Sequence, residues 1–302
     1  MNSQVKDVCI EALRRVYNLQ RELMQKEVIG EIIAKGSGLD KVIRGDWESE
    51  EAVINFLKKQ RLPAMIISEE HGQFSLSKKP AYLVVLDGID GSSGLAANPK
   101  ARCGTIISVA DNLNPKYDDF IFSGVTEFSQ ERIAYVSKGD KVRLIEQPGK
   151  LEKTAIVDKI FPKPLCKETK IHIDDKQFYP DYKEGITISM DKITKLMRNV
   201  FSNKLNGKFE LSGMASTSSM FIDLVLGKVD AVCGVIVKGV FEPPAGYLLS
   251  KTIGGEVYGF SNDKWEKIDN KKWQEYGKPI SPVLFAASPE LANELISILK
   301  SS

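Results

Sequence analysis

Histidine is nearly absent from this chain. His71 and His172 are the only two among 302 residues, and they stand far apart, so a histidine-rich zinc site is not expected. The four cysteines, Cys9, Cys103, Cys166 and Cys233, form no C-x-x-C pair. Their scatter reads as free thiols in a reducing compartment rather than a disulfide frame or a zinc site. Charge of one sign is also missing: 42 lysines and arginines against 40 aspartates and glutamates leave +2. With that balance, and no basic run interleaved with aromatics, neither nucleic acid nor an anionic membrane is expected as a partner. No apolar run approaches the roughly 18 residues of a spanning helix. Met1 to Lys26 is charged and helix-patterned, without the apolar centre of a secretion signal. The expectation is a soluble, cytoplasmic protein.

What is present is a large apolar fraction, 42%, enough to bury one large core or two moderate ones. Val5, Val8, Ile10, Leu13, Val16, Leu19 and Leu23 space a helix over 4–27. A second helix is expected over 48–60, ended by Pro63. Short apolar runs at 64–67, 82–87, 104–110 and 120–126 read as strands, and 132–145 as a hairpin turning at Lys138-Gly139-Asp140. Residues 146–182 are rich in Lys, Pro and Asp with weak periodicity, and a domain boundary is placed there, dividing 1–165 from 166–302. Helices follow at 190–203, 216–226, 243–253 and 289–299, with strands at 229–237, 255–259 and 282–286. Pro243 suits a first helical position and Gly254-Gly255 a C-terminal cap. Helices and strands alternate throughout, which favours a layered α/β architecture.

The most informative segment is Asp87-Gly88-Ile89-Asp90-Gly91-Ser92-Ser93, directly after the apolar run Tyr82 to Leu86 and preceded by Ser68-Glu69-Glu70. A buried strand there delivers two carboxylates to a sheet edge and then opens a glycine turn with backbone N–H groups and two hydroxyls. Carboxylates hold hard divalent cations, and exposed N–H groups hold phosphate. Asp87 and Asp90 repel each other unless a cation neutralises them. No basic residue lies between Tyr82 and Pro99, so a metal is the simpler local counter-ion, with a distant Lys or Arg as the alternative. Asp46, Glu69, Glu70 and Glu242 each have an ordinary reading when taken singly. Asp46 reads as a helix cap, Glu242 as an acid favoured by a helix dipole, and the Glu pair as solvated loop charges.

Taken together, Glu69-Glu70, Asp87-x-x-Asp90-Gly91-Ser92-Ser93, Gly104-Thr105-Ile106-Ile107-Ser108 and Phe241-Glu242-Pro243-Pro244-Ala245-Gly246 through Gly254-Gly255 resemble the inositol monophosphatase / fructose-1,6-bisphosphatase superfamily. The resemblance implies an α/β (α+β layered) sandwich with alternating helix and sheet layers. It implies a Mg²⁺-dependent phosphomonoesterase of small phosphorylated metabolites, a homodimer or homotetramer. Two or three Mg²⁺ ions are expected, with Mn²⁺ able to substitute. By the same resemblance Glu69, Asp87, the Ile89 carbonyl, Asp90 and Glu242 are metal ligands. Gly91, Ser92 and Ser93 form the phosphate cradle. Ser92 helps polarise the attacking water, and Asp46 and Glu70 order a third metal or take a proton from that water. One ion would sit on Glu69 and Asp87 and a second on Asp87, Asp90 and Glu242, bridged by Asp87.

There are departures from the family pattern. Gly88 stands where the family usually has Pro, which implies a less rigid turn and a looser metal site. The loop Gly94 to Cys103 is unlike either branch. Ser92-Ser93, Glu242 and Ser219-Met220 with Asp223 lean toward the fructose bisphosphatases; the length and the compact end of the chain lean toward the inositol phosphatases. Substrate contacts are expected from Lys238 and Ser219, with Lys100 and Arg102 as further candidates; Lys238 as a solvated loop residue and Ser216 to Ser219 as a plain helix cap are the alternatives. The expected substrates are fructose 1,6-bisphosphate, inositol 1-phosphate or both. A 3′-phosphonucleotide phosphatase and a non-catalytic metabolite-binding relative are the other readings.

Overall fold

The computed structural model of the chain describes residues 3–35, 41–98, 100–158, 164–166, 168–174, 211–212, 216–236, 241–261, 264–274 and 281–300. The helix expected over 190–203, Lys238 and the Ser93 side chain lie outside the described residues.

Helix α1 (Ser3–Gln25) and helix α2 (Arg44–Lys59) form the first layer. The α1 stripe Val5, Cys9, Ala12, Leu13, Val16, Tyr17 and Leu23 is buried, the three-and-four spacing of a one-sided helix. Gln20 falls on the same stripe and is 0% exposed, so its amide needs partners inside the protein. Between the two helices run β1 (Ile32–Lys35) and β2 (Lys41–Ile43), an antiparallel pair.

These helices cover one face of an eight-stranded sheet. Its strands are β3 (Ala64–Ser68), β4 (Gly72–Ser75), β5 (Tyr82–Asp90), β6 (Gly104–Ala110), β7 (Phe120–Glu127), β8 (Arg132–Ser137), β9 (Val142–Glu146) and β10 (Lys153–Val157), in the spatial order β10-β9-β8-β7-β6-β5-β3-β4. Along β5 the pleat sends Val84 and Leu86 to the α1–α2 side and Leu83 and Val85 to the other. Every pairing in this sheet is antiparallel except β3 with β5. That parallel pair brings two strand C-termini side by side, with Ser68 opposite Leu86. Glu69-Glu70 therefore emerges next to Asp87.

A short helix α3 (Ser92–Ala97) follows β5. The chain then builds a six-stranded sheet from β11 (Ile171–Asp174), β12 (Leu211–Ser212), β13 (Ala231–Ile236), β14 (Glu256–Ser261), β15 (Lys264–Lys267) and β16 (Ser281–Ala286), in the order β12-β11-β13-β16-β14-β15. Helices α4 (Thr217–Val225) and α5 (Pro243–Thr252) lie between the two sheets. Residues 218–225 of α4 and 243–250 of α5 are all buried, as a helix covered on both sides must be. Helix α6 (Pro289–Lys300) closes the outer face with Leu291, Ala292, Leu295, Ile296 and Leu299. The result is five alternating layers, helix, sheet, helix, sheet, helix: the layered α/β sandwich expected from the sequence. No helix among the described residues is long and apolar enough to cross a membrane.

Among the described residues the expected strands and helices lie within a few residues of their observed bounds, with one consequential exception. Helix α2 begins at Arg44, four residues before the expected start. Ile43 is its N-terminal cap and makes no side-chain capping bond. Asp46 is thus not a cap; it sits in the first turn, 2% exposed, facing β5. All four cysteines are unbridged, and burial pushes the Cys9 and Cys233 thiols up to about 12.

Candidate active site

Residues three apart on a regular strand face opposite sides of the sheet. Strand β5 breaks that rule between Asp87 and Asp90. Its pairing with β6 shifts from Asp87–Ile106 to Asp90–Gly104, so three steps on β5 oppose two on β6. This bulge lets both aspartates face α4 and α5. Glu242, the residue before Pro243 at the start of α5, meets them there. Carboxylate oxygens of Asp87, Asp90 and Glu242 all lie within 4.8 Å of one another.

Each acid is held from a different layer. Asp90 Oδ2 accepts bonds from the Ser218 N–H at 2.6 Å and the Ser216 hydroxyl at 3.0 Å, both at the start of α4. On the opposite face Asp46 Oδ1 accepts the Ile89 N–H at 2.8 Å. The Gly88 carbonyl accepts the Thr105 hydroxyl at 2.7 Å and the Gln20 amide at 3.1 Å. The buried Gln20 on α1 therefore fixes the bulge. Gly88 itself has no room for a side chain: a Cβ there would stand 2.3 Å from the Asp46 carbonyl oxygen and 2.6 Å from its Oδ1.

Glu50, which the sequence reading passed over, organises the Glu69-Glu70 loop. It is 0% exposed. Its carboxylate accepts the N–H groups of Glu69 at 2.9 Å, Glu70 at 3.1 Å and His71 at 3.1 Å. It also accepts the Ser68 hydroxyl at 2.6 Å and lies 2.8 Å from His71 Nδ1. The His71 ring packs against Trp47, tilted by 35° with the centroids 4.1 Å apart. Glu50 lies one helical turn beyond Asp46, a spacing that puts both on one face of α2. That spacing was the available signal.

The electrostatics follow from the packing. Burial, then Glu69, Asp46, Asp90 and Glu242, push the Asp87 carboxyl well above its ordinary range. Burial, then Glu69, Glu70 and Glu50, do the same to Asp46 against the opposing Ile89 hydrogen bond. Burial also raises Asp90, opposed by its bonds to Ser218 and Ser216. Among the described residues no lysine or arginine pairs with Asp87 or Asp90, and Asp87 Oδ1 is buried without a hydrogen bond. An orphaned buried carboxylate oxygen, in a set of hard oxygen donors that converge within 4.8 Å, fits a divalent cation.

The start of α3 lies beside this cluster. Gly91 adopts φ +94°, a left-handed conformation that favours glycine, and starts the helix. The first helical bond is Leu95 N–H to the Gly91 carbonyl, so the Ser92, Ser93 and Gly94 N–H groups have no partner within the helix. Ser92 is half-buried. Ser219 is placed differently from a substrate contact: it is 0% exposed, and its hydroxyl lies 3.0 Å from that of Ser216. Arg102 is engaged by Glu127 and Asp223.

Asp46 and Asp87 have folded-state pKa values above their unfolded ones, so without metal the folded chain binds more protons than the unfolded chain as pH rises above about 4. Their contribution is present at low pH and lost as pH rises through the raised values. A divalent cation held by these acids would compensate the charge. The expected result is a rise in Tm on adding Mg²⁺ that is larger at pH 8 than at pH 5.5, read by thermal denaturation with and without EDTA. An equal rise at both values would contradict this account.

No protein-family model matches the sequence, and no curated protein matches it either. Solved structures do match its fold. Leishmania major fructose-1,6-bisphosphatase superimposes with a TM-score of 0.71 at 15% identity, covering 98% of this chain and 94% of that one. Thermotoga maritima IMPase superimposes at 0.67 and 16%, covering 98% and 96%. An IMPase/NADP phosphatase complexed with Mg²⁺ and phosphate superimposes at 0.69 and 14%, covering 99% and 96%. The five layers are matched across nearly the whole length of each, so the chain shares the fold of these three structures.

Proposed function

We propose that this chain is a Mg²⁺-dependent phosphomonoesterase acting on small sugar or inositol phosphates. The observation that carries this reading is the convergence of Asp87, Asp90 and Glu242 around the unpartnered Asp87 Oδ1, beside the open N–H groups at the start of α3. Glu69, Asp87, the Ile89 carbonyl, Asp90 and Glu242 would hold the metal. Bound there, Mg²⁺ supplies charge neutralisation and a lowered pKa for water.

The chain's own groups do the rest. Backbone N–H groups of Ser92 and its neighbours at the start of α3 hold phosphoryl oxygens as negative charge builds on them. The Ser92 hydroxyl orients the attacking water, with Glu69 and Glu70 on the loop that Glu50 fixes. The proton that water gives up goes to Glu70 or to Asp46, whose carboxyl is raised by burial and then by Glu69, Glu70 and Glu50. Neither histidine is required: His71 is committed to Glu50 and Trp47.

Phosphate release should be measured from fructose 1,6-bisphosphate, inositol 1-phosphate and adenosine 3′,5′-bisphosphate, each with Mg²⁺ and with EDTA. Mg²⁺-dependent release from one or both sugar-type substrates is expected. Release from the nucleotide alone would move the substrate class to 3′-phosphonucleotides. Release undiminished by EDTA would sink the metal mechanism.

A further inference from the structure

Three buried charges, Glu127, Arg132 and Asp223, and the half-buried Arg102 form a closed ring next to this site. Arg102, in the loop between α3 and β6, donates Nε to Glu127 and Nη1 to Asp223 Oδ2 at 2.6 Å. Arg132 donates Nε to the other Glu127 oxygen and Nη2 to Asp223 Oδ1 at 3.1 Å. Glu127 ends β7, Arg132 opens β8 and Asp223 lies on α4. His172 Nε2 stands 3.6 Å and Lys228 Nζ 3.9 Å from Asp223. The ring is neutral, two positive against two negative, so its effect on the acids comes through geometry rather than net field.

That geometry leads to Asp90. Arg102 has a third bond, Nη2 to the Ser219 carbonyl at 3.1 Å. Ser219 and Asp223 are one turn apart on α4, so the planar guanidinium grips the helix at two points. The turn it grips also holds Asp90: the Ser218 N–H and Ser216 hydroxyl bind Oδ2, and Ser216 caps the helix by accepting the Ser219 N–H. Asp90 also accepts from the Thr217 N–H and the Ser218 hydroxyl, so the first turn of α4 sets how this carboxylate meets Asp87 and Glu242.

We propose that Arg102 and Asp223 are positioning residues for Asp90: they fix the first turn of α4 and so set the orientation in which Asp90 meets a divalent cation. This rests on the metal-site reading above. Ordering a ligand from behind in this way typically changes metal affinity by about 10–100-fold. A lysine at 102 keeps the ring neutral but lacks the fork that reaches both Ser219 and Asp223.

The test is Mn²⁺ binding to the full-length chain, by electron paramagnetic resonance or calorimetry, with no substrate present. Arg102→Lys and Asp223→Asn should each bind about 10–100-fold more weakly than the parent. Asp223→Asn is nearly isosteric and keeps the test open if Arg102→Lys does not fold. Leu295→Ala, in the outermost helix and 0% exposed, serves as the destabilised control and should bind like the parent. A double-mutant cycle of Arg102→Lys with Ser216→Ala should be non-additive in Mn²⁺ affinity, because both act on Asp90. Parental affinity in both Arg102→Lys and Asp223→Asn, whatever their Tm, overturns the proposal. A parent that binds no Mn²⁺, or an Asp87→Asn variant that binds like the parent, removes the metal-site reading and this proposal with it.

Discussion

Asp87→Asn is expected to abolish phosphate release and yet make the metal-free chain more stable at pH 8. The two effects share one cause. Asp87 is 2% exposed, and burial together with Glu69, Asp46, Asp90 and Glu242 opposes its ionisation. Asparagine keeps the shape, removes the charge and brings an N–H₂ donor into a cluster of acceptors. In EDTA the repulsion falls and Tm should rise, by about 2–4 °C for each kcal/mol gained in a chain approaching this size. With Mg²⁺ present the order should reverse, because the parent gains a bound ion that the variant holds poorly. A metal contributes several kcal/mol to transition-state stabilisation, and each 1.4 kcal/mol or so is tenfold in rate, so a loss of about 10³-fold or more is expected. Thermal melts in EDTA and in Mg²⁺, beside a phosphate-release assay, check both halves. A variant that is less stable than the parent in EDTA would show that Asp87 contributes packing rather than strained charge.

The second large effect is at Gly88. Read from the sequence, glycine in place of the family's proline implied a looser turn. The structure gives that residue a different role. Gly88 is pressed against α2, and a Cβ would come within 2.9 Å of Glu50 Cγ as well as meeting both the backbone and side chain of Asp46. Backbone atoms cannot step aside, so any side chain must push α2 off the sheet or distort the bulge. Overpacking of this kind costs about 1–3 kcal/mol and sometimes more. Here the displacement also breaks the Asp46–Ile89 bond and shifts the carbonyl that Gln20 and Thr105 hold. Gly88→Ala is expected to lose stability in urea melts and to lose activity beyond what the lost stability explains. Gly88→Pro should be worse still. A Gly88→Pro variant as stable and active as the parent would show that α2 packs more loosely on β5 than these distances imply.

Most of the fold was legible because local periodicity and burial agree. The α1 stripe, the apolar strands β5 to β8 and the Pro243 start of α5 follow from spacing alone. Less visible was anything that depends on a partner remote in sequence. Gln20 carries no mark distinguishing it from a surface amide, yet it reaches Gly88 and Thr105. Arg102 read as a possible substrate contact because it lies near the active loop, but three of its donors are taken by Glu127, Asp223 and Ser219. The late start expected for α2 came from helix periodicity. The apolar pattern of α2 starts after the first turn, and Gly45 in that turn reads as a breaker.

Carboxylates clustered after two strands, a glycine turn with hydroxyls behind them, and the alternation of helices and strands can all be read along the chain. These are local properties, carried by side-chain period and by residues adjacent in the chain. That Asp87 and Asp90 share a face emerges from the folded arrangement alone, since it depends on how β5 registers against β6. The same arrangement brings the Glu69-Glu70 loop out beside Asp87, because β3 and β5 run parallel. The arrival of Glu242 from over 150 residues away, and the grip of α4 on Asp90, follow from stacking one sheet on another through α4 and α5. Register, strand direction and layer packing are fixed by the burial of whole faces, and no single segment of the chain contains them.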